Sequence, residues 1–468
     1  LVYERDGYLH TINISGGNSI QLNINVVGDF PWAETKWEDV SRSTRSASLS
    51  PNGKRAIMQS RGDIFTVPVE FGDARNITES SGTADRRPIW SPKGDKIAWF
   101  SDADRKSYAL MLSAQDGLSQ PEAISIGESK LGWNPAWSPD GKHIAFVDDD
   151  VRLRFVNLET KKVKTIDIGG NNLERGSIEL KWSPDSNWIA YEKSASNNFR
   201  QIYIYSIKND VTKAITDPFA DSFSPAWDLN KKQLYFLAST DVALRSGWAN
   251  TSSMTADPVY SAYVINLDAN DDSPFKPKSD EEEVKEENDD EDDEDEKSDS
   301  KKEGKENKDD KDKTMIVDFE DIGRRTLALP MPSRYYGSII AGPKGSMFIS
   351  EYTQNNRGAT LHKFSLEDQE SKEFTTGASS VSVTSNGKHM LARLNGDWKV
   401  IKTGGANAKG AERLKVNLQM KLDRSAEWEQ MFEEAWRYEH DYFYDPNIHG
   451  RDWKVVYKRY APLVHFIK

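Results

Sequence analysis

The sequence predicts an all-β fold, a β-propeller of seven four-stranded antiparallel blades, with a short α-helical segment at its C-terminal end. Three observations predict it: a turn phrase that returns seven times, a nearly constant spacing between most copies, and a switch to helical apolar spacing near Arg424. The length of 468 residues also exceeds what one hydrophobic core usually serves, so repeats or several domains are expected.

The turn phrase couples a small or apolar lead-in to a tight turn and a short apolar strand. It runs Leu49-Ser50-Pro51-Asn52-Gly53, Trp90-Ser91-Pro92-Lys93-Gly94, Trp137-Ser138-Pro139-Asp140-Gly141 and Trp182-Ser183-Pro184-Asp185-Ser186. Weaker copies are Trp227-Asp228-Leu229-Asn230, Ala341-Gly342-Pro343-Lys344-Gly345 and Val383-Thr384-Ser385-Asn386-Gly387. Proline presets φ at the first central position, Asp or Asn tolerates the next, and glycine accepts positive φ, so the flanking strands are hairpin neighbours. Intervals of 41, 47, 45 and 45 residues separate the first five copies, within the blade range of about 40–50 residues. The next interval is 114 and the last is 42. Trp90, Trp137, Trp182 and Trp227 share one phase of the repeat, and the reading for them is packing between blades, with no ligand role.

The long interval contains an acidic stretch. Residues 279–313 hold 20 acidic residues against 8 lysines, a difference of 12, which accounts for nearly all of the net charge of −13. With almost no apolar side chains it cannot offset chain entropy, and a disordered acidic insertion at 278–314 is expected. Neither this stretch nor the near-neutral remainder offers the basic face that phosphate binding needs, so nucleic acid is excluded as a partner. No apolar run approaches membrane-spanning length. The sequence contains no Cys, which excludes disulfides and thiolate chemistry.

At the N-terminal end, Val2-Tyr3-Glu4, Tyr8-Leu9-His10-Thr11-Ile12 and Gln21-Leu22-Asn23-Ile24 read as the later strands of a blade, followed by linker-like Gly28-Asp29-Phe30-Pro31-Trp32. A chain that opens in mid-strand is expected to be a piece of a longer one. At the other end, Trp428, Met431, Phe432, Ala435, Trp436 and Tyr442 fall at helical spacing, with Glu427, Glu429, Glu433 and Arg437 opposite. Ser425 is the expected N-cap and Pro446 marks the stop. A second helix is expected from Asp452, with Trp453, Val456, Tyr457 and Tyr460 on one face. Two such helices cannot bury their aromatics alone and are expected to need partners beyond Lys468.

The chain carries no recognisable catalytic pattern. His10, His143, His362, His389, His440, His449 and His465 include no pair at metal-ligand spacing. They read as surface or structural residues, with His465, in the apolar run Leu463–Ile467, read as a core histidine. No G-x-S-x-G elbow occurs, and Gly169-Gly170 and Gly404-Gly405 lack phosphate-loop spacing. Asp148-Asp149-Asp150 reads as a solvated hairpin tip. No residue is assigned a catalytic, cofactor-binding or metal-binding role.

The junction between repeats and helices is more specific. Glu427-Trp428-Glu429-Gln430-Met431-Phe432-Glu433-Glu434-Ala435-Trp436, with Tyr442-Phe443-Tyr444-Asp445-Pro446-Asn447-Ile448-His449-Gly450-Arg451-Asp452-Trp453, resembles the opening of the helical domain of tricorn proteases. Arg45–Ala56 and Arg61–Pro68 look like the first blade of that family's seven-bladed ring. The resemblance implies three segments: residues 1–35 ending a preceding six-bladed propeller, 36–420 forming the seven-bladed ring, and 424–468 starting a helical domain. It implies a serine peptidase that degrades oligopeptides, assembles as a homo-oligomer and works in the cytoplasm, the periplasm being the alternative. It also implies that the ring gates or channels peptides toward catalytic residues beyond Lys468. A TolB-like binding propeller without enzyme activity is the alternative reading, and a prolyl-oligopeptidase-like propeller a third.

Overall fold

The structure, a computed structural model, describes residues 1–240, 259–277, 314–353 and 357–467. The acidic insertion expected at 278–314 lies outside the described residues except for Thr314.

The turn phrase folds alike in its strong copies. The carbonyls of Ser50, Ser91, Ser138 and Ser183 accept from the amides of Gly53, Gly94, Gly141 and Ser186 at 2.8, 2.9, 2.9 and 2.9 Å. Those four residues have φ of 70°, 74°, 78° and 64°, the left-handed region that glycine enters without steric cost. The serine side chain closes the turn from the other side. In the third blade, Ser138 Oγ donates to Asp140 Oδ1 (2.6 Å) and accepts from the His143 amide (2.9 Å). Ser and Asp recur in the phrase because together they satisfy the turn's own polar groups.

Each turn joins the first and second strands of a four-stranded antiparallel sheet. Five such sheets follow in order over residues 44–76, 85–124, 132–168, 181–214 and 221–328. In the fifth, the second and third strands are Gln233–Ser239 and Ser261–Asn266, and the fourth is Thr326–Ala328. The acidic stretch therefore falls in sequence between the third and outermost strands, and together with residues 240–260, between the second and third, it lengthens the repeat interval. Just past it, Met315 and Val317 return to the hydrophobic core. The sixth and seventh units share one seven-stranded sheet, because the 14-residue strand Glu370–Val383 serves as the outer strand of one and the inner strand of the other. Gly377 marks the crossover at φ 72°, where a Cβ would lie 2.2 Å from Asn395 Oδ1.

The core consists of seven clusters of buried apolar residues, each spanning one pair of adjacent units. Ile57 and Ile64 of the first meet Trp90 and Trp99 of the second. The series continues around the molecule and returns, since Leu391, Trp398 and Val400 of the seventh pack on Leu49, Met58 and Phe65 of the first. Seven seams for seven units describe a closed ring. The repeated tryptophans lie in these seams, as the sequence predicts: Nε1 of Trp90, Trp182 and Trp227 donates to the carbonyls of Ser48 (3.4 Å), Ala136 (3.0 Å) and Lys181 (2.8 Å), each on the preceding sheet. Trp137 keeps the phase but its Nε1 is buried without a partner.

A separate clasp reinforces the closing seam. Gln419–Leu422 pairs antiparallel with Lys36–Asp39, and Met420, Leu422 and Leu418 enter the seam between the seventh and first blades. Outside the ring, the N-terminal strands Val2–Arg5, Tyr8–Thr11 and Ile20–Gln21 form a small sheet whose Val2, Leu9 and Ile20 are exposed. Two helices follow the clasp, α1 (Arg424–Tyr442) and α2 (Trp453–Val464).

Truncating a buried large apolar side chain costs about 2–5 kcal/mol. Met420→Ala, in the clasp, is expected to lose that much in urea unfolding with the transition still cooperative. A loss well below 1 kcal/mol, by the same scale, would show that the clasp does not hold the ring shut. Trp227→Phe, which removes only the N–H donor and one ring, should cost on the order of 1 kcal/mol.

Candidate functional site: the axial opening and the docked helix

The inner strands share an irregularity. Pairing between first and second strands slips by one residue at Arg45, at Arg87-Pro88, at Asn134-Pro135, at Ser224-Pro225 and at Gly337. Proline cannot donate to a ladder, so X-Pro before the small-Trp pair breaks the register. Arg87, Asn134 and Ser224 consequently sit at φ 56°, 48° and 56°. Such bulges bend a strand and re-aim its side chains.

These residues converge on the ring axis. One cavity of about 430 Å³ is lined by Arg45, Arg87, Asn134, Lys181 and Ser380, drawn from the first, second, third, fourth and seventh blades. Five blades can meet one cavity only at the centre of the ring. A second cavity of about 200 Å³, lined by Glu179, Lys181, Glu192, Arg200, Ser224 and Ser338, adds the fifth and sixth blades. The opening mixes these polar groups with apolar ones such as Ile89, Leu180 and Val381. Asn134 Nδ2 donates to the carbonyls of Gly176 (3.0 Å) and Ile178 (2.9 Å), and Arg87 Nη1 reaches Asn134 Oδ1 at 3.5 Å. Glu179 contacts Lys181, whose charge holds its carboxyl below the usual range.

Glu192 lies at the seam between the fourth and fifth blades, where its carboxylate accepts from the Ser224 amide and stands 3.6 Å from Arg200. Arg200 is itself committed to Asp221 and lies 3.9 Å over the Phe223 ring. Burial pushes the Glu192 carboxyl up to about 7 against the pull of Arg200 and the Ser224 N–H, with Glu179 and Asp221 pushing the same way.

Helix α1 seats over the first and second blades, at the edge of this opening. Its N-cap is Asp423, whose carboxylate accepts from the amides of Ser425 (3.0 Å) and Ala426 (3.1 Å). That corrects the expected cap at Ser425: a carboxylate ending the clasp strand reaches two orphan donors at once. The buried face is also the reverse of expectation. Gln430 and Arg437 are buried while Met431 is 57% exposed. Asp102, fully buried at the end of the second strand of blade two, accepts from Gln430 Nε2 (3.0 Å), Arg437 Nη2 (2.7 Å) and the Ala84 amide (2.6 Å). Glu434 pairs with Arg86 at 2.6 Å and accepts from the Tyr108 hydroxyl at 2.7 Å. Burial opposes its charge, but Arg86 and the hydroxyl donors outweigh that and hold the carboxyl below its ordinary range. Arg61–Glu427 (2.7 Å) and Lys130–Asp441 (2.7 Å) extend the seam. The first helix thus has its partner in the ring. Its aromatic face serves α2: Trp436 stacks on Trp453 at 6.2 Å and meets Tyr457 edge-on at 5.0 Å. The second helix starts where the sequence predicts, with Asp452 as its N-cap.

Two other expectations fail. Asp148 and Asp149 are buried, not a solvated tip, because Asp148 accepts from Ser129 Oγ and Arg152 Nε, both at 2.7 Å, and Asp149 from the Lys130 amide. His465 is exposed at the C-cap of α2, since the apolar run Leu463–Ile467 ends at a helix terminus rather than in a core. His143 packs between Trp182 and Phe155. Among the described residues no group of three or more His, Asp or Glu side chains could hold a metal ion. None of their helices is long and apolar enough to cross a membrane.

The fold and its axial site define a seven-bladed β-propeller with a helical extension docked on its rim. The sequence profile of the tricorn protease second beta propeller domain matches residues 44–404, and that of the tricorn protease C1 domain matches 424–468. The chain belongs to the tricorn protease family. It is 26% identical to "Tricorn protease homolog 1" of Streptomyces coelicolor, covering 99% of this chain and 44% of that protein. It is 23% identical to "Tricorn protease" of Thermoplasma volcanium, covering 99% and 42%. The crystal structure of the tricorn protease superposes with a TM-score of 0.75 at 18% identity, over 100% of this chain and 43% of that one, which supports the fold. The chain therefore spans less than half the length of these relatives.

The Glu192 geometry predicts a pH dependence. A carboxyl raised in the folded state contributes stability that is full below its ordinary value of 4.5 and is lost as pH rises through about 7. The loss is on the order of 3 kcal/mol by pH 8. Glu192→Gln should recover it, gaining stability over the parent at pH 8 but not at pH 5 in urea unfolding. Equal differences at both pH values would contradict the assignment. At the helix seam, Asp102→Ala leaves Arg437 buried and unpaired at a cost of about 3–5 kcal/mol. It should speed amide exchange across 424–442 while the ring amides stay protected.

Proposed function

We propose that this chain is the non-catalytic ring of a serine peptidase that degrades oligopeptides, and that its axial opening channels peptides toward a catalytic domain encoded after residue 468. The observation that carries the reading is the combination of family membership with an opening to which all seven blades contribute side chains. The Arg, Asn, Ser and Glu side chains in its mixed lining suit an extended peptide, whose backbone carries a donor and an acceptor at nearly every residue. Helix α1 locks to the rim through buried ion pairs, so whatever follows it is held in a defined place relative to the opening. In this reading the small N-terminal sheet, with its exposed Val2, Leu9 and Ile20, is the end of a preceding propeller that covers that face. The whole protein is read as a homo-oligomer of the cytoplasm acting on peptides. The helical match over 424–468 favours this over a free-standing binding ring.

The test uses the longer protein beside this chain. The longer protein should hydrolyse oligopeptides and lose that activity to a serine-reactive inhibitor, whereas this chain alone should hydrolyse none. Ser380→Trp places a large side chain in the axial cavity and is expected to lower oligopeptide turnover several-fold. Unchanged turnover in a folded variant would show that peptides do not pass through the ring.

A further inference from the structure

The cations around the axis are not treated alike. Arg61, Arg86 and Arg200 are each paired with a carboxylate, Glu427, Glu434 and Asp221, at 2.7, 2.6 and 2.5 Å. Arg45 and Arg87 have no ion pair among the described residues, and both are exposed to the opening. They line the 430 Å³ axial cavity together with Lys181, so its wall carries three cations against the single carboxylate of Glu179. Arg45 and Arg87 also line a cavity of about 700 Å³ beneath α1, and so stand where the axial space opens toward the helices.

Arg87 is placed there at a cost. Its φ of 56° is a left-handed backbone that Asn or Gly adopts readily and Arg seldom does. The bulge at Arg87-Pro88 imposes that backbone, and the Arg87 amide donates to Gln59 Oε1 of the first blade at 3.1 Å. Asn134, the corresponding residue of the next blade, supplies the side-chain oxygen beside the Arg87 guanidinium. A concave, protein-walled space with an excess of one sign of charge focuses its field on the axis.

We infer that Arg45, Arg87 and Lys181 form an anion-selective station on the ring axis that binds carboxylates of an extended peptide. The ligand chemistry is a carboxylate, on a Glu or Asp side chain or at the peptide's C-terminus. Guanidinium groups suit it because their planar donors match a carboxylate's two oxygens. Glu179 tempers the station by pairing with Lys181 and, more weakly, through its charge interaction with Arg87. The inference rests on the reading that peptides enter the ring.

The experiment is isothermal titration of the whole chain with four N-acetylated decapeptides of one backbone sequence. One carries two Glu and an amidated C-terminus, one two Gln and a free C-terminus, one two Gln and an amidated C-terminus, and one two Lys and an amidated C-terminus. At low salt a carboxylate-bearing peptide should bind about tenfold more tightly than the neutral one, with the advantage shrinking as salt is added. The first two peptides distinguish a side-chain from a terminal carboxylate. Arg45→Gln combined with Arg87→Gln should abolish the advantage, bringing the carboxylate-bearing peptides to the affinity of the neutral one. Glu179→Gln should enlarge it, and Lys162→Gln, on an outer hairpin, should do nothing. Should the double variant fail to fold, Glu179→Gln and the salt series decide the matter alone. Equal binding of charged and neutral peptides would overturn the anion station while leaving peptide entry standing. No binding of any peptide to folded chain would overturn both.

Discussion

Face-to-face packing of neighbouring sheets is the constraint on which everything else in this molecule rests. A four-stranded antiparallel sheet has two faces, and in each blade both are apolar. Ile57 faces the second blade while Met58 and Phe65, from the same sheet, face the seventh. A sheet buried on both faces needs a neighbour on each side, and a linear stack would leave two faces bare at its ends. Closure removes both ends, and the seam of Leu391, Trp398 and Val400 against Leu49 and Phe65 accomplishes it. Because the final sheet is built wholly from its own stretch of chain, closure rests on that apolar seam and on the strand pair Lys36–Asp39 with Gln419–Leu422.

The axial opening follows from this packing. Twisted blades arranged around a centre cannot bring their inner strands together, and the space left is lined by whatever those strands project. Slippage of register at the X-Pro steps turns Arg87, Asn134 and Ser224 toward that space. The same Pro residues precede the Ala/Ile-Trp pairs that pack the seams. A short phrase thus serves two ends of one strand, apolar packing at the turn and polar lining at the axis.

The helical extension obeys a different logic. Aromatic side chains at helical spacing suggest a greasy face awaiting an apolar partner, yet the ring receives α1 through Asp102, Arg86 and Tyr108, groups that have little value unless each is met by a fitted partner. Gln430, Glu434 and Arg437 meet them at successive turns of one helix stripe. Buried charges paired this way contribute modest net stability but penalise any other placement heavily. The aromatics are then free for α2, where Trp436, Trp453 and Tyr457 form the helical core.

The sequence by itself determined the repeat, the hairpin turns and the four-stranded antiparallel unit, because each depends on local chemistry. Pro and Gly set turn dihedrals, alternation sets strand faces, and a constant interval sets the unit. It also carried the family resemblance in the stretch Glu427–Trp453. Only the tertiary structure decided which polar residues matter. Arg45 and Arg87 look like ordinary surface arginines until five blades bring their inner strands around one space. Asp102 and Arg437, more than three hundred residues apart in the chain, meet only when α1 lies on the ring. Asp148, in an acidic run that reads as solvated, is buried because Arg152, Arg154 and Ser129 surround it. Turns and strand periods are written within a few residues, whereas the compensation of a charge depends on partners that only the closed ring assembles.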